Sequence, residues 1–105
     1  MAYVGKVNVS GDWEKVEDLI KAQVEGQDNF VFDTSKSYPI QVDGGFGIYL
    51  CSASTTPTAP DEGEFLTDGE RAVFKPESNK DLYVKVRGNS GGVKLSVSDT
   101  VFLTR

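Results

Sequence analysis

Apolar and polar residues alternate along most of this chain, and Gly, Pro, Asp, Asn or Ser interrupts the alternation every few positions. Residues 3–9 open the series, with Tyr3, Gly5, Val7 and Val9 on one side and Val4, Lys6 and Asn8 on the other. A period of two marks a half-buried strand. Residues 38–42 repeat it, setting Tyr38, Ile40 and Val42 against Pro39 and Gln41. Pro39 cannot donate a ladder hydrogen bond, so this strand lies at an edge or begins there. In 82–87, Leu82, Val84 and Val86 face inward and Tyr83, Lys85 and Arg87 outward. In 93–98, Val93, Leu95 and Val97 oppose Lys94, Ser96 and Ser98. Residues 29–33, 46–51, 64–67 and 70–75 add further short apolar or alternating runs.

The interruptions are turn chemistry. Asp43-Gly44-Gly45 predicts a hairpin joining 38–42 to 46–51, and Asp68-Gly69 one joining 64–67 to 70–75. Gly88-Asn89-Ser90-Gly91-Gly92 predicts a third, between 82–87 and 93–98. Residues 52–63 are small, polar and Pro-containing, and read as a long extended loop. One segment has a different period. Trp13, Val16, Leu19, Ile20 and Val24 recur at helical spacing, which predicts a helix over 12–24. Asp12 would cap it, Glu14, Glu17 and Asp18 would suit its dipole, and Gly26 would stop it. A shorter helix over 12–19 followed by a strand competes with this. About eight strand segments with turns between them, and no fixed repeat, predict an all-β fold. The expected architecture is a single domain over 1–105, a β-sandwich or jelly-roll-like barrel with one short helix near the N-terminus.

Composition narrows the chemistry. The chain has no histidine, one cysteine and one tryptophan. Without imidazole there is no Ser-His-Asp triad, no Cys-His pair and no imidazole metal site, so a non-enzymatic protein without a cofactor is expected. Cys51 is alone, so it forms no intrachain disulfide, and its apolar surroundings in 47–51 suggest a small packed hydrophobe. Sixteen acids against eleven bases give a net charge of -5, which argues against nucleic-acid or anionic-membrane partners. No apolar run suits a signal peptide or a spanning helix, so synthesis in the cytoplasm is expected. The acids Asp61, Glu62, Glu64, Asp68 and Glu70 fit no EF-hand spacing and read as solvated groups flanking turns, with calcium the lesser alternative.

Two aromatic positions and one apolar segment stand out as a candidate interface. Tyr49 and Tyr83 fall on strand faces where they could meet another subunit, or stack on a sugar together with Trp13. Residues 46–51 carry apolar groups on both faces, and Val101, Phe102 and Leu103 form an apolar run after the last strand. That run would either close the sandwich or pack on another subunit.

Several segments together resemble small virion proteins of tailed bacteriophages. They are Met1-Ala2-Tyr3-Val4-Gly5; Trp13-Glu14-Lys15-Val16-Glu17-Asp18-Leu19-Ile20; the stretch 47–63 with Leu50-Cys51 and Thr56-Pro57-Thr58; and Phe74-Lys75-Pro76 followed by Asp81-Leu82-Tyr83-Val84. The resemblance spans nearly the whole chain and rests on pattern and composition. It implies a capsid decoration, head-fibre or tail-associated module, built as a β-sandwich or jelly roll. It further implies a symmetric homo-oligomer, with a trimer expected, docked on capsid or tail proteins and resident in the virion. It assigns no functional residues. The alternative is a module that binds a host-surface carbohydrate or a host protein.

Overall fold

The computed structural model of the chain describes residues 2–45, 47–59, 63–87 and 93–99. Among them are β1 (Ala2–Asn8), β2 (Glu14–Lys15), α1 (Val16–Gln23), β3 (Tyr38–Asp43), β4 (Ile48–Ala53), β5 (Glu64–Leu66), β6 (Arg71–Phe74), β7 (Asp81–Val86) and β8 (Lys94–Asp99). The strands form two four-stranded sheets, β1-β8-β3-β6 and β2-β7-β4-β5, and every pairing is antiparallel. Their inner faces meet in one core that includes Val7, Tyr38, Ile40, Val42, Ile48, Leu50, Val84, Val86, Leu95 and Val97. The fold is therefore an all-β sandwich with one short helix, and the inward residues of 38–42, 82–87 and 93–98 are those the alternation selects.

The strand partners differ from the expected ones. None of the three predicted hairpins forms. β3 and β4, β5 and β6, and β7 and β8 each lie in opposite sheets. A glycine turn reverses the chain whether the next strand pairs with the last one or crosses the core to face it. Alternation is the same in both cases, so it cannot report sheet membership. The consecutive strands that do pair are β4 and β5, and their connection is the long polar loop.

Pro39 is not on an edge strand, because β3 lies between β8 and β6. Val42 N–H donates to Glu70 O at 3.0 Å, so by alternation Ile40 and Tyr38 also bond toward β6. Pro39 then looks toward β8, where the ladder already ends at Ile40 opposite Val97. Its missing N–H is tolerated at the start of the strand. Val4 departs from the alternation of 3–9. A bulge between Tyr3 and Gly5 shifts the register on β8, and Val4 joins the core.

The helix begins later than predicted. Glu14 and Lys15 pair with Val84 and Tyr83, which holds the backbone extended up to Lys15. Val16 is thus the first residue free to turn, and Trp13 and Asp12 lie outside the helix. Val16, Leu19 and Ile20 are buried. Gln23 closes onto β1: Asn8 N–H donates to Gln23 Oε1 at 2.7 Å, and Gln23 Nε2 donates to Asn8 O at 3.1 Å. Close approach explains Gly5, where a Cβ would come within 2.5 Å of Val24 Cγ2.

Residues 29–33 form no strand. Phe30 and Phe32 instead turn their rings edge-on to Tyr38, with centroids 6.2 and 4.8 Å away, and Phe32 meets Phe74 at 4.9 Å. Their backbone is held by side chains, since Phe32 N–H donates to Glu17 Oε2 and Asp33 N–H to the Tyr38 hydroxyl. This aromatic cluster packs against the core where a strand was expected.

Candidate interface on the outer face of the second sheet

The outer face of β2-β7-β4-β5 carries two of the candidate residues, Tyr49 and Tyr83. Register sets Tyr49 between Phe65 on β5 and Lys85 on β7, and sets Cys51 beside Tyr83, which in turn adjoins Lys15. The Tyr49 and Phe65 rings lie 5.1 Å apart at a 45° tilt. The Arg87 guanidinium sits 5.3 Å from the Phe65 centroid, a cation–π arrangement. Lys85 is half-buried, and its Nζ donates to Val86 O at 3.3 Å. Among the described residues neither Lys85 nor Arg87 joins an ion pair. In a chain of net charge -5 the part of this face around Tyr49 and Phe65 is aromatic and cationic, while Asp81 and Lys15 pair at its other end.

The two tyrosines do not share one environment. Tyr49 is half-buried, whereas Tyr83 is only 4 % exposed and is not part of the core between the sheets. The loop after β4 is tied down near this end of the sheet. Trp13 Nε1–H donates to Ala59 O at 2.9 Å, and Pro57 is buried. Ala53 is level with Asp81, and Trp13 lies two residues before Lys15, the neighbour of Tyr83. The indole N–H is engaged within the molecule, and Tyr83 leaves little surface exposed although register keeps it on the outer face that alternation predicts. Cys51 is half-buried on this outer face rather than in the core. Val101, Phe102 and Leu103 lie outside the described residues.

Phe65, Lys85 and Arg87 complete the face that Tyr49 begins. The outward positions of Lys85 and Arg87 are readable from alternation in 82–87. Their proximity to Phe65 is not, because it depends on β5 and β7 flanking β4.

Asp68 and Glu70 serve the turns. Gly44 N–H donates to Asp68 Oδ1 at 2.7 Å. Glu70 Oε1 accepts from Thr67 N–H at 2.7 Å and from Thr67 Oγ1–H at 2.8 Å. Asp61 and Glu62 lie outside the described residues. Among the described residues no group of three or more His, Cys, Asp or Glu could hold a metal ion. The bonds from the Thr67 backbone and hydroxyl hold the Glu70 carboxyl below its usual 4.5. Bonds from Ser35 lower Asp33, and Lys6, 2.9 Å away, lowers Asp43. A carboxyl with a depressed folded pKa stabilises the fold above its unfolded pKa, and that contribution is lost as pH falls through the folded value. The thermal midpoint is therefore expected to fall on acidification below about pH 4.5. Glu70→Gln should narrow that fall, because one of the three carboxyls no longer titrates. Parallel midpoint curves for the two proteins from about pH 6 to about pH 3 would contradict the assignment.

Comparison with protein-family models, curated proteins and solved structures returned no match to this chain.

Proposed function

We propose that this chain is a non-enzymatic virion module of the tailed-phage type, and that it acts by docking the outer face of its second sheet. The observation that carries this reading is the cluster of Tyr49, Phe65, Lys85 and Arg87 on a rigid antiparallel sheet. Protein interfaces are enriched in Tyr and Arg at their energetic centre, and such residues act best when a framework holds them in place. Here the strands fix Tyr49, Phe65 and Lys85, and Arg87, one residue past β7, is held by its N–H bond to Gly47 O and by stacking on Phe65. The resemblance supplies the setting: a capsid or tail surface, or sister copies in a homo-oligomer for which a trimer is implied. A module that binds only the assembled particle stabilises it by mass action.

A second reading draws on the Tyr49–Phe65 pair. Adjacent half-buried rings also offer a stacking platform for a host-surface sugar.

Co-sedimentation of the labelled protein with phage particles lacking it separates the two. The variant Tyr49→Ala with Arg87→Glu should bind particles about 30-fold more weakly, a hot-spot loss of roughly 2 kcal/mol. Its circular dichroism should match that of the unaltered protein. Full-strength particle binding by the double variant would sink the docking face. Sugar-array binding that Tyr49→Ala removes, without particle binding, would establish the second reading instead.

A further inference from the structure

A sandwich of two open sheets has four edges, and this one shortens or covers three of them. At β1, Gln23 occupies the end of the strand through its two bonds to Asn8. β2 and β5 are only two and three residues long. Short edge strands and covered edges are the usual protections against strand addition. β6 has neither. It pairs with β3 on one side, and no described strand lies on the other. Since Ile40 and Ala72 bond each other's backbone, the N–H and C=O groups of Arg71 and Val73 point away from the sheet. Val73 itself is 60 % exposed.

Directly beneath this edge the two sheets part. A cleft of about 340 Å³ opens there, with Ile40, Leu50, Phe74 and Leu82 in its lining. Its cause is the shortness of β5. Pairing of β4 with β5 stops at Leu50 opposite Glu64, so the remainder of β4 has only β7 beside it. An unpaired backbone edge thus overlies a recess that is mostly apolar, with Ser52 and Glu64 also in its lining. An added strand would bond Arg71 and Val73 and turn every second side chain into the cleft.

Charge selects the occupant. Arg71 and Lys75 bracket Val73, and among the described residues neither is in an ion pair. A second copy paired antiparallel about Val73 would set Arg71 of one against Lys75 of the other, and like charges directly opposite are destabilising. A strand ending in carboxylates would meet both cations favourably. We propose that β6 is a strand-acceptor edge for a partner protein whose extended segment alternates apolar residues and carries carboxylates at its ends. This is independent of the docking face on the second sheet.

The test uses the full chain, isotope-labelled, and synthetic eight-residue peptides with valine at alternate positions. A glutamate-ended peptide should shift the Arg71 and Val73 amides and slow their hydrogen exchange. A lysine-ended peptide should bind about tenfold more weakly, and one with proline at its centre should not bind. Val73→Pro removes one outward donor without touching the β3 ladder, and should abolish binding while the dichroism spectrum is retained. Should that variant fail to fold, Arg71→Glu with Lys75→Glu provides the second check, because it should reverse the preference from glutamate-ended to lysine-ended peptides. Absence of β6 shifts with the glutamate-ended peptide, or unchanged binding by folded Val73→Pro, overturns the proposal. So does an unreversed preference, or concentration-dependent protection of β6 without peptide, which would make the occupant a second copy.

Discussion

Tyr38→Ala is expected to destabilise the protein by about 3–5 kcal/mol in urea unfolding, the range for truncating a large buried aromatic. Tyr38 is 2 % exposed and opens β3 opposite Phe74. Its ring is met edge-on by Phe30 and Phe32, and its hydroxyl accepts the Asp33 N–H at 2.7 Å. Removing it opens a void under the Phe30–Phe32 segment, which has no strand pairing of its own. The loss approaches half of a small domain's stability of about 5–15 kcal/mol. Tyr38→Phe keeps the packing and removes only the hydroxyl, so it should cost about 1 kcal/mol. If both variants lose the same amount, the hydroxyl rather than the ring holds this end of the core. If Tyr38→Ala loses less than about 1 kcal/mol, the cluster is peripheral.

Which way each strand faces is legible in the sequence, and which strand it lies beside is not. Leu82, Val84 and Val86, or Val93, Leu95 and Val97, must point inward because each strand has one wet and one dry face. Nothing in that pattern distinguishes a neighbour in the same sheet from one across the core. The turns at Asp43-Gly44-Gly45 and Asp68-Gly69 obey the conformational rules of a hairpin and still deliver the chain to the opposite sheet. The helix start was hidden for a related reason. Glu14 and Lys15 carry no strand signal of their own and are extended because β7 needs a neighbour.

The candidate site follows the same division. Tyr49 is visible from its alternation on β4. Phe65 and Arg87 become its companions only when β5 and β7 take their places on either side of β4. Tyr83 alternates outward like Lys85, and only its 4 % exposure in the folded chain separates it from the accessible part of the face.

Gly63 and Gly69 provide the sharpest separation between backbone conformation and crowding. Both have positive φ, 91° and 85°, where an L side chain is strained. A Cβ at Gly69 would meet nothing within 4 Å. At Gly63 it would overlap the Leu50 carbonyl oxygen and lie 2.9 Å from Cys51 Cβ, and the carbonyl is backbone in a paired strand that cannot rotate away. Gly69→Ala should therefore cost about 1–2 kcal/mol, the conformational part alone. Gly63→Ala adds overpacking of about 1–3 kcal/mol and should lose roughly 3 kcal/mol or more. It should also disturb the proposed docking face, since Gly63 leads directly into β5 and Phe65 follows two residues later. Gly69→Ala should leave particle binding intact, because its turn lies beyond the other end of β5. Equal destabilisation by the two substitutions would show that the β4–β5 contact yields easily. The rigid setting proposed for Tyr49, Phe65 and Arg87 would then have to be abandoned.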